Sequence, residues 1–321
     1  MTAIITGSAF PDPDALDWKA PCSTHGWPNL AFRSRASRVY FPEHEGVLSI
    51  KCAFHGQEIY EVLGRPMTVE DTCYLILNEG QRYASYIDAD TPVESVCVFF
   101  HPQFARSLLR SLTSAPERLL DDPVGGDGAA PFFVERLYPH DQIISPVLLR
   151  IREALRTGSA SREWLEEQFH VLLERMLAVR SHVFTEAERL ASVRASTRLE
   201  LYQRLYWAKE YIDANAGQSL NLAQIAEIAC LSPHHFLRLF KQLFSVTPHQ
   251  YLTLRRLEMA QHLLRKTELP VTDICLEVGF VSLGTFSCLF RRRHGVSPLQ
   301  YRRVHSPPRF AVGCALPQQR Q

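Results

Sequence analysis

The sequence predicts an α+β protein. A β-rich front part forms a small antiparallel barrel or sandwich, a helical segment follows, and an all-α C-terminal domain carries two helix-turn-helix motifs. Three observations lead there. Short runs of alternating apolar residues, punctuated by Gly, Asp and Pro, fill the stretch from about 31 to 100, as strands joined by tight turns do. Apolar residues at steps of four and three mark a helix over 161–181. Near the C-terminus a set of five residues recurs at a constant offset of 50, which marks a duplicated unit.

At 321 residues the chain is long enough for two domains with cores of their own. Its net charge of +1 conceals an asymmetry. Residues 1–196 carry 19 Lys and Arg against 26 Asp and Glu, and residues 197–321 carry 16 against 8. A basic C-terminal third behind an acidic front points to a polyanion partner for the back portion alone. The eight cysteines are scattered with no CxxC or CxxH spacing, so no metal site is read from them and reduced, mostly buried thiols are expected. No charged-then-apolar leader and no apolar run near the ~18–20 residues of a membrane span is present. A cytoplasmic protein is the expectation.

In chain order, residues 1–30 are rich in Pro, Asp and small polar side chains and read as a flexible arm. Residues 31–180 read as one domain. Within it "GVLSIKCAFHG" alternates, with Leu48, Ile50, Cys52 and Phe54 on one face and Ser49, Lys51 and Ala53 on the other; "DTCYLILNEGQRY" and "VESVCVFFHP" are further β-rich runs. The helix that follows places Leu165, Phe169, Leu172 and Met176 in a seam of about two heptads. Such a seam serves either to pack the helix on its own barrel or to join two copies of the chain. Residues 181–197 read as a linker, 198–304 as the helical domain and 305–321 as a disordered tail.

The helical domain opens with a helix closed by Gly217. Asn221 then caps a short helix bearing Ile225, Ala226 and Ala229. After a tight turn, Ser232 caps a second helix with Pro233 at its first position. Phe236, Leu239, Phe240 and Leu243 form its inner face, leaving His234, His235, Leu237, Arg238 and Lys241 outside. The arrangement recurs: Ser232, Phe236, Phe240, Pro248 and Tyr251 match Ser282, Phe286, Phe290, Pro298 and Tyr301. The connector "PHQYLTLRRLEMAQHLL" reads as one helix of about 17 residues, roughly 25 Å at ~1.5 Å per residue. That reach suits two recognition helices entering successive major grooves about 34 Å apart. Lys241, Arg255, Arg291 and Arg292 then fit phosphate contacts.

These residues resemble the DNA-binding domain of the AraC/XylS family of bacterial transcription regulators. The likeness lies in "LNLAQIAEIACLSPHHFLRLFKQLFSVTPHQYLTLRRLEMAQHLL" and "PVTDICLEVGFVSLGTFSCLFRRRHGVSPLQYRR", about a third of the chain. The order of the other elements is also similar to the family. It implies that residues 31–180 are a cupin-like effector-binding and dimerisation domain. It further implies a nucleoid-associated homodimer that binds double-stranded DNA and contacts RNA polymerase. The family's base-reading face falls on His234, His235, Leu237 and Arg238 in the first unit, and on Leu283, Gly284, Thr285 and Ser287, beside Cys288, in the second. The family often has Arg at the place of Cys288 and a polar residue at that of Leu283, so base reading there leans on thymine methyls. Ser245 stands where Gly is usual, which strains that turn.

The family likeness implies a ligand in the barrel but does not choose it. No H-x-H pair, phosphate loop, nucleophile elbow or catalytic carboxylate pair is present, so neither an enzyme nor a cofactor is expected. His55, Tyr60, Tyr74, Arg82 and Tyr83 are the candidates for lining an effector pocket. Two alternatives for the front half stay open: a barrel enzyme fused to a DNA-binding module, and a regulator with no small-molecule ligand.

Overall fold

A computed structural model describes residues 2–6, 29–114, 130–190 and 194–305. The remainder of the expected arm and the expected tail beyond His305 lie outside the described residues. The chain divides into two compact units, Met1–Gln203 and Arg204–Gln321.

The first unit is the expected nearly closed barrel. Its strands are β1 (Thr2–Thr6), β2 (Asn29–Glu45), β3 (Ser49–Phe54), β4 (Gln57–Val62), β5 (Arg65–Glu70), β6 (Cys73–Leu77), β7 (Arg82–Phe99) and β8 (Leu137–Pro139). Two long strands organise it. β7 pairs with β2 along nearly its whole length; on its other edge the Glu94–Phe99 half pairs with β3 and the Tyr83–Tyr86 part with β4. Irregularities between Ala36 and Arg38 and between Phe41 and His44 bend β2, as an extra residue in a ladder does. The sheet therefore folds over on itself and encloses Tyr60, Val62, Met67, Val69, Leu75, Leu77, Tyr83, Ile87 and Val93. At the start of the expected arm, β1 lies parallel to β2 with Thr2 opposite Asn29. Those few residues are strand because the edge of β2 offers unpaired backbone groups.

Helices cover one outer face of the sheet: α1 (Pro102–Thr113), α2 (Ser145–Thr157) and α3 (Arg162–Ala187). Asp141 Oδ1 accepts the backbone N–H groups of Ile143 and Ile144 at 2.8 and 2.6 Å and so starts α2. Gly158, at φ 69°, ends it. Arg152 of α2 and Arg33 of β2 grip Glu94 of β7 at 2.8 Å each. Burial alone would raise the Glu94 carboxyl, but these guanidinium hydrogen bonds hold it down at about 2.

α3 decides between the two alternatives for its seam, against the dimer contact. Leu165, Phe169, Leu172 and Met176 are all fully buried within this single chain. α3 packs on α1, α2 and β2, and the Phe169 ring meets Phe100 edge-on at 6.0 Å. The seam is used to cover its own barrel, so it offers no face to a second copy. The same stripe continues through Val183 and Ala187, both buried, which is why the helix runs to Ala187 through the start of the expected linker. The next helix, α4 (Ala195–Ala214), begins before the linker's expected end.

In the second unit Leu205, Ala208 and Ile212 of α4 are buried. Gly217 does not cap α4 in a left-handed conformation. It lies where a Cβ would sit 2.9 Å from the Glu277 carbonyl oxygen, and a Cβ on Gly279 would sit 2.8 Å from the Gly217 oxygen. The two glycines let the chain after α4 touch the second turn. Arg256 fixes that contact by donating to the oxygens of Ala216 and Gln218 at 2.8 and 2.7 Å.

The first motif is α5 (Leu222–Ile228) and α6 (Pro233–Phe244); the connector is α7 (Pro248–Lys266); the second motif is α8 (Val271–Glu277) and α9 (Leu283–His294); α10 (Pro298–His305) follows. Asn221 with Gln224, and Thr247 with Gln250, form reciprocal capping boxes on α5 and α7. Ser232 and Ser282 cap α6 and α9 as expected. At 19 residues, α7 is about 28 Å long. Its Leu257, Ala260 and Leu264 join Ile274, Val278, Phe286, Phe290 and Tyr301 in one core.

Candidate nucleic-acid interface and barrel interior

The recognition faces follow from helix periodicity. In α6, Phe236, Leu239, Phe240 and Leu243 are buried, so positions three and four residues apart on the opposite side must face solvent. His234, Leu237, Arg238 and Lys241 are exposed there, while His235 is half-buried. In α9 the buried pair is Phe286 and Phe290. Leu283, Gly284, Thr285, Cys288, Arg291 and Arg292 are exposed and Ser287 is half-buried. Arg291 and Arg292 thus sit one turn beyond the shorter side chains of the same exposed face.

Among the described residues, Arg238, Lys241, Arg291, Arg292 and Arg293 are exposed and make no side-chain hydrogen bond or ion pair inside the protein. Arg293 escaped the sequence reading, although the triple-arginine run contains it. Arg255 is different. It lies 2.7 Å from Asp213 Oδ1 and 2.5 Å from Glu258 Oε2, and the Tyr251 hydroxyl donates to the same Asp213 oxygen at 2.7 Å. Two carboxylates neutralise this guanidinium within the domain, so the expected phosphate contact at Arg255 is withdrawn.

The five barrel residues expected to share a pocket do not meet. Tyr60 and Tyr83 do face each other inside, with ring centroids 6.1 Å apart. Tyr74 is fully buried but on the opposite face of the sheet, stacked on Tyr138 and donating to Asp141 at 2.8 Å. His55 sits on the β3–β4 turn at φ 62°, its ring exposed and 3.1 Å from the Arg152 guanidinium. Arg82 is exposed and paired with Glu43 at 2.6 Å. Alternation along a strand sends neighbouring residues to opposite faces, and three of the five fall outside.

The interior holds two charged side chains, Lys51 and Glu58. Lys51 is 2% exposed and stands opposite Leu75 on β6 and Cys97 on β7. Its ammonium lies over the Phe99 ring at 3.7 Å and the Tyr83 ring at 5.3 Å. Burial opposes its charge, but Tyr83, Cys97 and Glu58 around it raise its pKa above the ordinary lysine value. Glu58, also 2% exposed, accepts the Ser95 hydroxyl at 2.6 Å. Burial lifts its carboxyl above the usual range, against hydrogen bonds from Ser95, Tyr60 and Ser85. Burial also pushes the Cys97 thiol up to about 11, which leaves it unreactive. Among the described residues, no three His, Cys, Asp or Glu side chains gather as a metal site would need, and no helix is long and apolar enough to cross a membrane.

Residues 225–304 match the family described as a helix-turn-helix domain. The chain is similar to the HTH-type transcriptional activator RhaS of Escherichia coli, 29% identical over 287 residues, covering 85% of this chain and 92% of that protein. It is also similar to a probable transcriptional regulator, LumQ, of Photobacterium leiognathi, 34% identical over 91 residues, which cover 28% of this chain and 37% of that relative. Among solved structures, the C-terminal domain of the response regulator AraT from Geobacillus stearothermophilus is 35% identical, with a TM-score of 0.32, covering 34% of this chain and 90% of that one.

Proposed function

The chain belongs to the AraC/XylS family of DNA-binding transcription regulators, and from that premise we propose how it reads its site and what governs it. His234, His235, Leu237 and Arg238 of α6 contact base edges in one major groove. Leu283, Gly284, Thr285 and Ser287 of α9 occupy the next. Lys241, Arg291, Arg292 and Arg293 hold the phosphates on either side. The observation that carries this reading is the pair of duplicated helices whose outer cations have no partner among the described residues. Arg255 has no part in it.

A small effector bound inside the barrel changes the affinity for DNA, because a ligand shifts a conformational equilibrium only by its differential affinity for the two states. Polar groups enclosed among the apolar side chains support an internal site. The test begins with selection of a duplex from a randomised pool by the full chain. Gel shifts on the selected duplex and its single-substituted variants should show position-dependent losses for the parent protein. Equal binding to all duplexes, at every salt concentration, would remove the base-reading assignment.

A further inference from the structure

A barrel interior that serves only as a core is filled by apolar side chains, since a polar group withdrawn from water needs a partner to replace it. This interior departs from that rule on one continuous inward surface. Lys51 lies among Leu75, Cys97, Phe99 and Tyr83; Tyr83 hydrogen-bonds it and Glu58 acts on it from farther off, but among the described residues no carboxylate comes within ion-pair distance. Glu58 accepts hydroxyl hydrogen bonds, feels the Lys51 charge from beyond ion-pair distance, and forms no ion pair among the described residues. Ser34 and Ser49 are fully buried, and among the described residues neither hydroxyl has a hydrogen-bond partner. Both point inward by register: Ser34 stands opposite Ser95, and Ser49 opposite Leu77 and Phe99.

What these four side chains lack defines a complement. The ammonium lacks an anion at contact distance. The carboxylate takes hydroxyl donors, as it does from Ser95, whereas a cationic group there would add a second positive charge beside Lys51. The two serines lack partners of either sense. Resting on the effector reading of the barrel, we propose that its interior binds a small hydroxylated carboxylic acid, with the carboxylate on Lys51 and the hydroxyls shared among Glu58, Ser34 and Ser49. The Phe99 and Tyr83 rings flank the bound carbon chain.

The test is thermal unfolding of the full chain with millimolar aldonic, uronic and short hydroxy acids, D-gluconate and D-galacturonate among them. Controls are the matched neutral compounds D-glucitol and D-galactose, and hexanoate as an acid without hydroxyls. At least one hydroxy acid should raise the unfolding midpoint while its neutral counterpart and hexanoate do not. Lys51→Met should weaken that acid by roughly 30-fold or more, as loss of one partner of a buried charge pair does, while the free variant unfolds no lower than the parent. Three results would overturn the proposal: no acid-specific shift, an equal shift from the neutral compounds, or a Lys51→Met variant that unfolds earlier and keeps the response. An acid that stabilises the chain yet leaves its affinity for the selected duplex unchanged upholds the site and removes the gating role.

Discussion

The two helix-turn-helix motifs are copies in plan and unequal in detail. From the capping serine onward they correspond at an offset of 50: Ser232 with Ser282, Phe236 with Phe286, Phe240 with Phe290. Before that serine the offset is 49. The Leu231 N–H bonds to the Ala226 carbonyl as Phe280 does to Cys275, and Cys230 and Gly279 hold the left-handed positions at φ 51° and 88°. The second turn therefore contains one extra residue, Val281, which is 97% exposed. The left-handed residue closing the recognition helix is Ser245 in the first motif and Gly295 in the second. The first motif carries its long polar side chains early on the helix. The second begins with Leu283, Gly284 and Thr285 and gathers its arginines at the end. The difference suits a division of labour, in which the first motif would read bases and the second mainly grip the backbone, and the predictions below test it.

The largest effects should be shared, because the cores are the conserved part of the plan. Phe240 packs on Phe236, Phe244 and Tyr251 with ring centroids 4.5–5.9 Å away. Phe290 packs on Phe286, His294 and Tyr301 at 4.3–5.7 Å. Phe240→Ala and Phe290→Ala should each cost about 3–5 kcal/mol in urea unfolding of the full chain. A near-neutral result for either would break the equivalence of the two cores.

The turns should differ. Gly279 combines φ 88° with backbone 2.8 Å from any added Cβ, so Gly279→Ala should destabilise by about 2–3 kcal/mol. Cys230→Ala should be nearly silent, because that turn already accommodates a side chain. Equal costs at the two positions would show that the Gly217 contact does not constrain the second motif.

On DNA the difference should appear as specificity against salt dependence. Arg238→Ala should lose about 1–3 kcal/mol on the selected duplex and relax preference at one base pair. Arg292→Ala should weaken all sequences alike and lower the salt slope by about 1. Gel shifts across a salt series check both, and a uniform loss for Arg238→Ala would move it to the phosphate group.

The helical unit was largely legible because its signals are local: caps, inner stripes and the five-residue match lie within a few turns of each other. Val281 escaped because that match starts at Ser232, after the insertion. Arg255 was misjudged because Asp213, one of its two partners, is remote in sequence. In the barrel, the alternation of "LSIKCAF" was read correctly as a strand, but alternation alone does not say which face is solvent. Here neither is: Ile50 and Cys52 face the helical layer, and Ser49 and Lys51 the interior. A strand covered on both sides loses the polar-out rule. The α3 seam stayed open in the sequence for a related reason, since a stripe of period 3.5 is the same whether it covers its own barrel or a second copy.

The smallest effect bears most directly on why the motifs diverged. Ser245 holds φ 61° with its N–H bonded to the Lys241 carbonyl, and a left-handed residue with a Cβ costs roughly 1–2 kcal/mol. Glycine avoids that cost but loses more chain entropy on folding. The net gain for Ser245→Gly should therefore be about 0.5–1 kcal/mol, read as a raised midpoint in urea. Gly295→Ser should lose a similar amount, and the pair exchanged together should cancel. If Ser245→Gly stabilises the chain yet weakens binding to the selected duplex, the serine hydroxyl, one turn beyond Lys241 on the exposed stripe, acts on the DNA side. If stability rises and binding is unchanged, the strain in the first motif is uncompensated drift between two copies, and only the outer side chains distinguish their roles.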